Sequence, residues 1–290
     1  MVGQVRRFNR TVTQRIGALD DAFLSRDRPL GQARALWEIG PDGSDVRALR
    51  ARLDLDSGYL SRLLRSLARD GLVTVQPSST DGRVRTAQLT SRGLAERELL
   101  DQRSDEAAGA ILRSLSPAQR TRLVTAMAQV ERLLTASAVQ VSERDPRHPD
   151  ARACVQAYFA ELAGRFDSGF DPVRSISAGD AELTPPAGLL LLATLHDEPV
   201  GCGALKFRQD SPAEIKRMWV APAVRGLGLG RRLLYELEDR ARARGVRLMR
   251  LETKNELSEA IRMYETSGYR EVVPFNDEPY ADHWFEKPLS

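Results

Sequence analysis

The sequence predicts two domains of different class in tandem. An all-α-rich unit, helix-turn-helix with a two-stranded hairpin, occupies residues 1–141, and an α/β (α+β) unit occupies 151–290. Three observations carry this. A length of 290 residues exceeds the usual size of one compact domain. Apolar residues recur every three or four positions through most of the first half, whereas strand-like and helix-like runs alternate in the second. The charge divides as well: residues 1–140 hold 22 basic residues, all arginine, against 16 acidic ones, whereas 141–290 hold 21 against 24. The polar stretch SERDPRHPD at 142–150, with two prolines, reads as the linker.

Val5, Phe8, Val12, Ile16, Leu19 and Phe23 mark an amphipathic first helix over 5–23. After the break at Arg28-Pro29, Ala33, Leu36, Trp37 and Ile39 predict a second helix, stopped by Gly40-Pro41. Ser44 is the expected N-cap of a short helix carrying Val46, Leu49 and Leu53. A tight turn at Asp54–Asp56 leads into a helix with Leu60, Leu63, Leu64 and Leu67, closed at Asp70-Gly71 by a glycine suited to a left-handed cap. Residues 72–76 and 84–89 read as strands joined by a turn-rich tip. Helices are expected over 91–113 and 117–141, the latter started by Ser116-Pro117.

In the second half a helix near 150–164 precedes an irregular stretch, 165–187. Strands are expected at 188–196, 199–208, 212–220, 246–252, 269–273 and 283–287, with helices at 228–244 and 258–267. The longest apolar run, Gly188–Leu195, suits a buried strand and is far short of the roughly 20 residues needed to span a membrane. The first residues carry no apolar core of a signal peptide, so no membrane partner and a cytoplasmic location are expected. Cys154 and Cys202 read as two reduced, buried thiols. His148, His196 and His283 are scattered, so no metal site is expected.

The helix DSGYLSRLLRSLARDG keeps its leucines on one face. Ser57, Gly58, Tyr59, Ser61, Arg62 and Arg65 lie at its start or on the open face, where a recognition helix meets the major groove. The hairpin tip SSTDGRVRT presents Arg83 and Arg85, placed for the negative potential of a minor groove, with Asp81 as a partner for Arg83. Each arginine taken singly is an ordinary surface charge, and it is their ordered combination that points to double-stranded DNA. Residues 3–140, with LRARLDLDSGYLSRLLRSLARDGLVTVQPSSTDGRVRTAQLTSRG and two long closing helices, resemble a MarR-family winged helix-turn-helix regulator. The resemblance implies a homodimer, formed by the first and last helices, on a pseudo-palindromic operator. It also implies a small-molecule site beside the dimer helices, where Phe8 and Trp37 either line the site or pack in the core.

RMWVAPAVRGLGLGRRLL, residues 217–234, places a glycine-rich turn between a strand and a helix, an arrangement that cradles a pyrophosphate on backbone N–H groups. A dinucleotide fingerprint needs Gly-x-Gly-x-x-Gly, and the spacing here is Gly-x-Gly-x-Gly; a Walker loop needs Gly-Lys-Ser/Thr, which is absent. Arg225, Gly228 and Gly230 resemble the Gln/Arg-x-x-Gly-x-Gly/Ala signature of GNAT acyltransferases, and LETKNELSEAIRMYETSGYREV and EPYADHWFEKPL resemble later parts of that fold. The resemblance covers about 150–290. It implies acetyl-CoA as cosubstrate and an amine as acceptor. Pantetheine is then expected along the backbone of Met218 and Val220, with the Val220 amide polarising the thioester carbonyl. Trp219 becomes a cleft wall. Arg225, Gly226, Leu227, Gly228, Leu229, Gly230 and Arg231 hold the pyrophosphate, and Asn255 contacts the pantetheine arm. Tyr264 protonates the departing thiolate. Glu214 either accepts the amine's proton or pairs with Lys216 or a nearby arginine. The functional expectation is a bifunctional regulator that binds DNA and transfers acetyl groups; in the alternative, the second domain senses acetyl-CoA or a metabolite and tunes DNA binding.

Overall fold

The computed structural model describes residues 1–18, 24, 28–78, 84–167, 169–176, 178–208 and 212–289. The chain divides into two compact units, Met1–Ala128 and Gln129–Ser290.

In the first unit α1 (Val2–Arg15) precedes α2 (Leu30–Ile39), β1 (Ser44–Asp45), α3 (Val46–Leu53) and α4 (Ser57–Arg69). The hairpin β2 (Val73–Pro77) and β3 (Arg85–Leu89) follows, then α5 (Ser91–Arg113) and α6 (Pro117–Ala138), within which the unit boundary falls. Strand order is β1-β3-β2. The core is aliphatic: Leu36 and Ile39 meet Leu49, Leu60, Leu64, Leu67, Leu72 and Val73. This is the face that the three- and four-residue spacing marks out. Caps fix where the helices start. The cap of α3 is Asp45, which accepts from the N–H groups of Arg47 (2.7 Å) and Ala48 (2.9 Å). Ser44, the expected cap, pairs with Ala87 in β1–β3 instead. Asp56 caps α4 by accepting from the Tyr59 N–H. Thr90 caps α5 and donates to the Gly71 carbonyl. Arg28 bridges Asp70 and Glu96, tying the end of α4 to α5. The expected first helix is described only to Arg15, and Leu19 and Phe23 lie outside the described residues. Val5, Phe8 and Ile16 are exposed, as are Val124, Met127, Leu133 and Leu134 on α6.

The second unit holds β4 (Gln140–Glu143), α7 (Pro149–Arg165), a 3-10 turn (Asp180–Leu183), β5 (Gly188–Leu195), β6 (Glu198–Lys206) and β7 (Ala213–Val220). These lead to α8 (Leu229–Ala243), β8 (Leu248–Thr253), α9 (Ser258–Thr266), β9 (Arg270–Val272) and β10 (His283–Pro288). They form one sheet, ordered β4-β5-β6-β7-β8-β10-β9. The stretch read as a linker at 142–150 is therefore folded at both ends: Ser142 and Glu143 pair with Leu192 and Leu191, and Pro149 opens α7. Its polar composition hides an edge strand, which is anchored by buried Val139 and by Val141 against the core.

The unbroken apolar run of β5 follows from burial on both faces. Leu189, Leu191 and Ala193 pack with Leu233, Leu234 and Leu237 of α8. Leu190 meets Ala151 of α7, and Leu192 meets Cys154 and Cys202. The two cysteines, 48 positions apart by residue number, thus share one buried cluster as free thiols. The parallel pair β7–β8 is joined over only part of its length. Its ladder covers Ala213↔Met249 and Glu214↔Arg250 only, and beyond these residues the strands share no ladder.

Candidate functional site

Two features of β7 open the sheet. The ladder to β8 stops at Glu214, and β7 bulges against β6 between the pairs Ala204↔Lys216 and Cys202↔Trp219. Arg217 sits in that bulge at φ +58°, a conformation that non-glycine residues rarely adopt. Two adjoining cavities result, of about 520 and 100 Å³, with Met218, Tyr158 and Tyr264 in the walls of both.

The larger cavity is bounded by Met218, Trp219, Val220 and the turn into α8. Gly226 (φ +78°) and Gly228 (φ +79°) take left-handed backbone conformations there. A Cβ on either would meet nothing, so these two positions are glycine for conformation and not for space. Gly228 caps α8 without any side-chain acceptor, leaving the first N–H groups of the helix for an anion. A pyrophosphate fits this cradle. Arg225, Gly226, Gly228, Leu229, Gly230 and Arg231 all line it; Leu227 instead packs against the core. Arg225 also departs from expectation. Its guanidinium is held by Glu161 of α7 and by the Val220 carbonyl (3.0 Å).

Tyr264 is buried where the two cavities meet. Its ring packs edge-on to Tyr269 at 5.9 Å and against Phe285 at 6.2 Å. Burial, with Tyr158 and Glu252 nearby, pushes its hydroxyl well above the ordinary tyrosine value, so it holds its proton.

Glu214 does not reach the cleft. It is fully buried and pairs with Arg250 (2.7 Å), Lys216 (3.3 Å) and Arg208 (3.5 Å). Burial raises its carboxyl, but the hydrogen bond from Arg250 and the surrounding cations outweigh this and hold it low. A carboxylate so neutralised is a poor proton acceptor, and of the two roles open in the sequence the ion pair is the one observed. Asn255 departs from expectation too. It is exposed, it holds His283 Nε2 through its amide oxygen (2.7 Å), and it does not line the cavity.

Glu252 stands where Glu214 was expected. β8 alternates: Met249, Leu251 and Thr253 are buried, and Glu252 takes the other face, lining the smaller cavity. One of its oxygens pairs with Lys216; the other, Oε2, is buried and has no hydrogen-bond partner among the described residues. Sequence reasoning also missed the α7 face formed by Tyr158, Glu161, Leu162 and Arg165. Glu161 accepts from the Trp219 indole N–H (2.7 Å) and from Arg225, and burial notwithstanding these bonds hold its carboxyl low. The signal was there: a tyrosine, a carboxylate and an arginine at helical spacing on one face.

On the first unit, Ser57, Gly58, Tyr59, Ser61, Arg62 and Arg65 are all exposed along α4, opposite buried Leu60, Leu63, Leu64 and Leu67. Arg62 lies 5.7 Å from the Tyr59 ring centre. Arg65, Ser61 and Arg85 line one shallow depression of about 320 Å³, so helix and hairpin present their arginines together. Asp81 and Arg83 lie outside the described residues. Among the described residues no group of three or more His, Cys, Asp or Glu is placed to hold a metal. No described helix is long and apolar enough to cross a membrane.

The acetyltransferase (GNAT) family model matches residues 154–269, and the MarR family model matches 27–84. An IAA acetyltransferase of Azospirillum brasilense is 38% identical over 112 residues, covering 37% of this chain and 72% of that protein. An uncharacterised N-acetyltransferase of Schizosaccharomyces pombe is 32% identical over 133 residues, covering 45% and 80%. Among solved structures, a GNAT-family acetyltransferase of Staphylococcus aureus is 19% identical with a TM-score of 0.45, covering 53% of this chain and 100% of that one.

Proposed function

The chain belongs to the GNAT acetyltransferase family and carries a MarR-family domain ahead of it, and on that premise we propose that it is a bifunctional regulator. It binds operator DNA as a dimer and transfers an acetyl group from acetyl-CoA to an amine. The observation that carries the enzyme half is the pair of adjoining cavities along the part of β7 that has no ladder to β8. A glycine cradle for an anion closes one end, Tyr264 stands where the cavities meet, and Glu252 lines the smaller one.

Acetyl-CoA supplies the activated thioester. Backbone N–H groups from Gly226 to Arg231 would hold its pyrophosphate, and the backbone of Met218 and Val220, which has no ladder to β8, would align its arm, with the Val220 N–H placed to polarise the thioester carbonyl. Glu252 Oε2 takes the acceptor's proton, since only a neutral amine attacks. Tyr264 gives its proton to the departing thiolate. Burial weakens this phenol as an acid, and desolvation in the same cleft would make the departing thiolate a stronger base, so the two effects oppose each other.

The test is calorimetric titration of acetyl-CoA into the full chain, with and without a fragment of its own promoter. One mole bound per chain is the expected result; no heat refutes the cradle. Affinity that shifts with DNA makes the second unit a sensor as well, because coupling must be reciprocal.

For the DNA half, the exposed apolar faces of α1 and α6 supply the dimer surface, and Arg62, Arg65 and Arg85 meet the phosphates and base edges. Fluorescence anisotropy of a labelled promoter fragment should show two chains per fragment. Replacing both Arg62 and Arg65 by alanine should weaken binding and flatten the slope of log K against log salt by about 0.9 for each phosphate no longer neutralised. Unaltered affinity and slope in the double variant would rule out this docking.

A further inference from the structure

The smaller cavity has walls that the cosubstrate does not need. Tyr158, Phe166, Phe170 and Tyr280 line it. Phe170 and Tyr280 lie 4.9 Å apart, centre to centre, and Phe166 stacks on Tyr280 at 6.0 Å. Glu278 fastens this wall by accepting from the Ile176 N–H (2.6 Å), the Ser175 hydroxyl (3.0 Å) and the Tyr280 N–H (3.2 Å).

The charges in the cavity have distinct assignments. Lys216 pairs with Glu252 and Glu214, Lys254 pairs with Glu256 at 2.8 Å, and Glu278 is engaged by the wall it fastens. The bulge in β7 turns Arg217 into the cavity wall. Its guanidinium lies 4.3 Å from the Phe159 ring centre, and one N–H reaches the Ala178 carbonyl at 3.2 Å. Burial lowers it from the ordinary arginine value, against the opposing pull of Tyr158, Cys202 and Asp180. A guanidinium carries five N–H donors in a planar fork that matches the two oxygens of a carboxylate.

Building on the acetyl-transfer reading above, we propose that the acyl acceptor is a small amine bearing a carboxylate on an apolar or aromatic body, the class of the aromatic and large aliphatic α-amino acids. Arg217 reads the carboxylate, the aromatic wall takes the body, and the amine meets Glu252. The amine nitrogen bonds to the acetyl carbonyl carbon and the carbon–sulfur bond breaks. Glu252 takes one proton of the ammonium to leave the neutral amine and passes it to solvent; the thiolate takes the Tyr264 proton, and the second proton that the nitrogen sheds on forming the amide restores the Tyr264 phenol. The products are an N-acetyl amino acid and CoA. A polyamine or a basic peptide would bring further cations beside Arg217.

The test is titration of acceptors into the full chain already saturated with CoA, which has no acetyl group to transfer. Phenylalanine should bind at least about tenfold more tightly than phenethylamine, its decarboxylated analogue, and spermidine no better than phenethylamine. Arg217→Met should abolish the preference without changing CoA affinity, and Arg217→Lys, which keeps the charge but not the fork, should narrow it. Phenethylamine binding as well as phenylalanine, or neither binding, overturns the proposal from the wild-type chain alone, whatever the variants do. Failure of the preceding CoA titration removes the acetyl-transfer reading, and the acceptor class with it, and is recognised because it comes before any acceptor is added.

Discussion

Tyr264→Phe is expected to lower kcat by about 10²- to 10⁴-fold, the usual worth of a positioned proton donor, with little change in acetyl-CoA affinity. The ring stays packed against Tyr269 and Phe285, so only the hydroxyl is removed. That hydroxyl stands where the two cavities meet, and burial keeps it protonated throughout the working pH range. Steady-state kinetics paired with calorimetry separate the outcomes. A large fall in kcat at unchanged affinity supports proton donation. Full activity in the variant would mean that the thiolate leaves unprotonated or takes its proton from water, and Tyr264 would be a packing residue.

Glu252→Gln is expected to lower kcat/KM at neutral pH by a similar factor, about 10²–10⁴. The amide keeps the shape of the side chain and removes its basicity. The loss should shrink as pH rises towards the acceptor amine's own pKa, because free neutral amine then becomes available without a protein base. A merely structural role would give a loss that does not vary with pH. The companion variant is Glu214→Gln, which removes the charge that Arg250, Lys216 and Arg208 share. Its effect should fall on stability, read as a lower Tm, and not on the pH profile. If Glu214→Gln reshaped the pH profile and Glu252→Gln did not, the roles assigned to the two carboxylates would have to be exchanged.

The two glutamates show how far one sequence reaches. Both lie on strands, both have a basic residue two positions away, and nothing in the local pattern assigns one of them to the cleft. Glu214 lies at the last ladder pair of β7 and β8 and Glu252 just beyond it, so one is enclosed by cations and the other faces a cavity. The ladder's end is a property of two strands and is invisible in either alone. The edge strand β4 was missed for a related reason. A four-residue strand in a polar, proline-flanked stretch is defined by its partner β5 and not by its own propensity. Asn255 was placed in the cleft by resemblance, yet in this fold its amide is turned to His283.

What the sequence determined by itself is everything that depends on local periodicity and local conformation. Helical spacing fixed the helix-turn-helix core and the exposed face of α4 opposite its leucines. The run Gly188–Leu195 announced a buried strand, and the glycine-rich turn at 225–230 announced an anion cradle at a helix start. What only the tertiary structure decided is which polar groups meet. Glu161 with Trp219 and Arg225, Cys154 with Cys202, and Arg217 with Phe159 join residues 48 to 64 positions apart by residue number. A charged side chain carries no record in its own neighbourhood of whether it will be solvated, paired or left facing a cavity. That outcome is set by the desolvation and the counter-charge that distant segments bring to it.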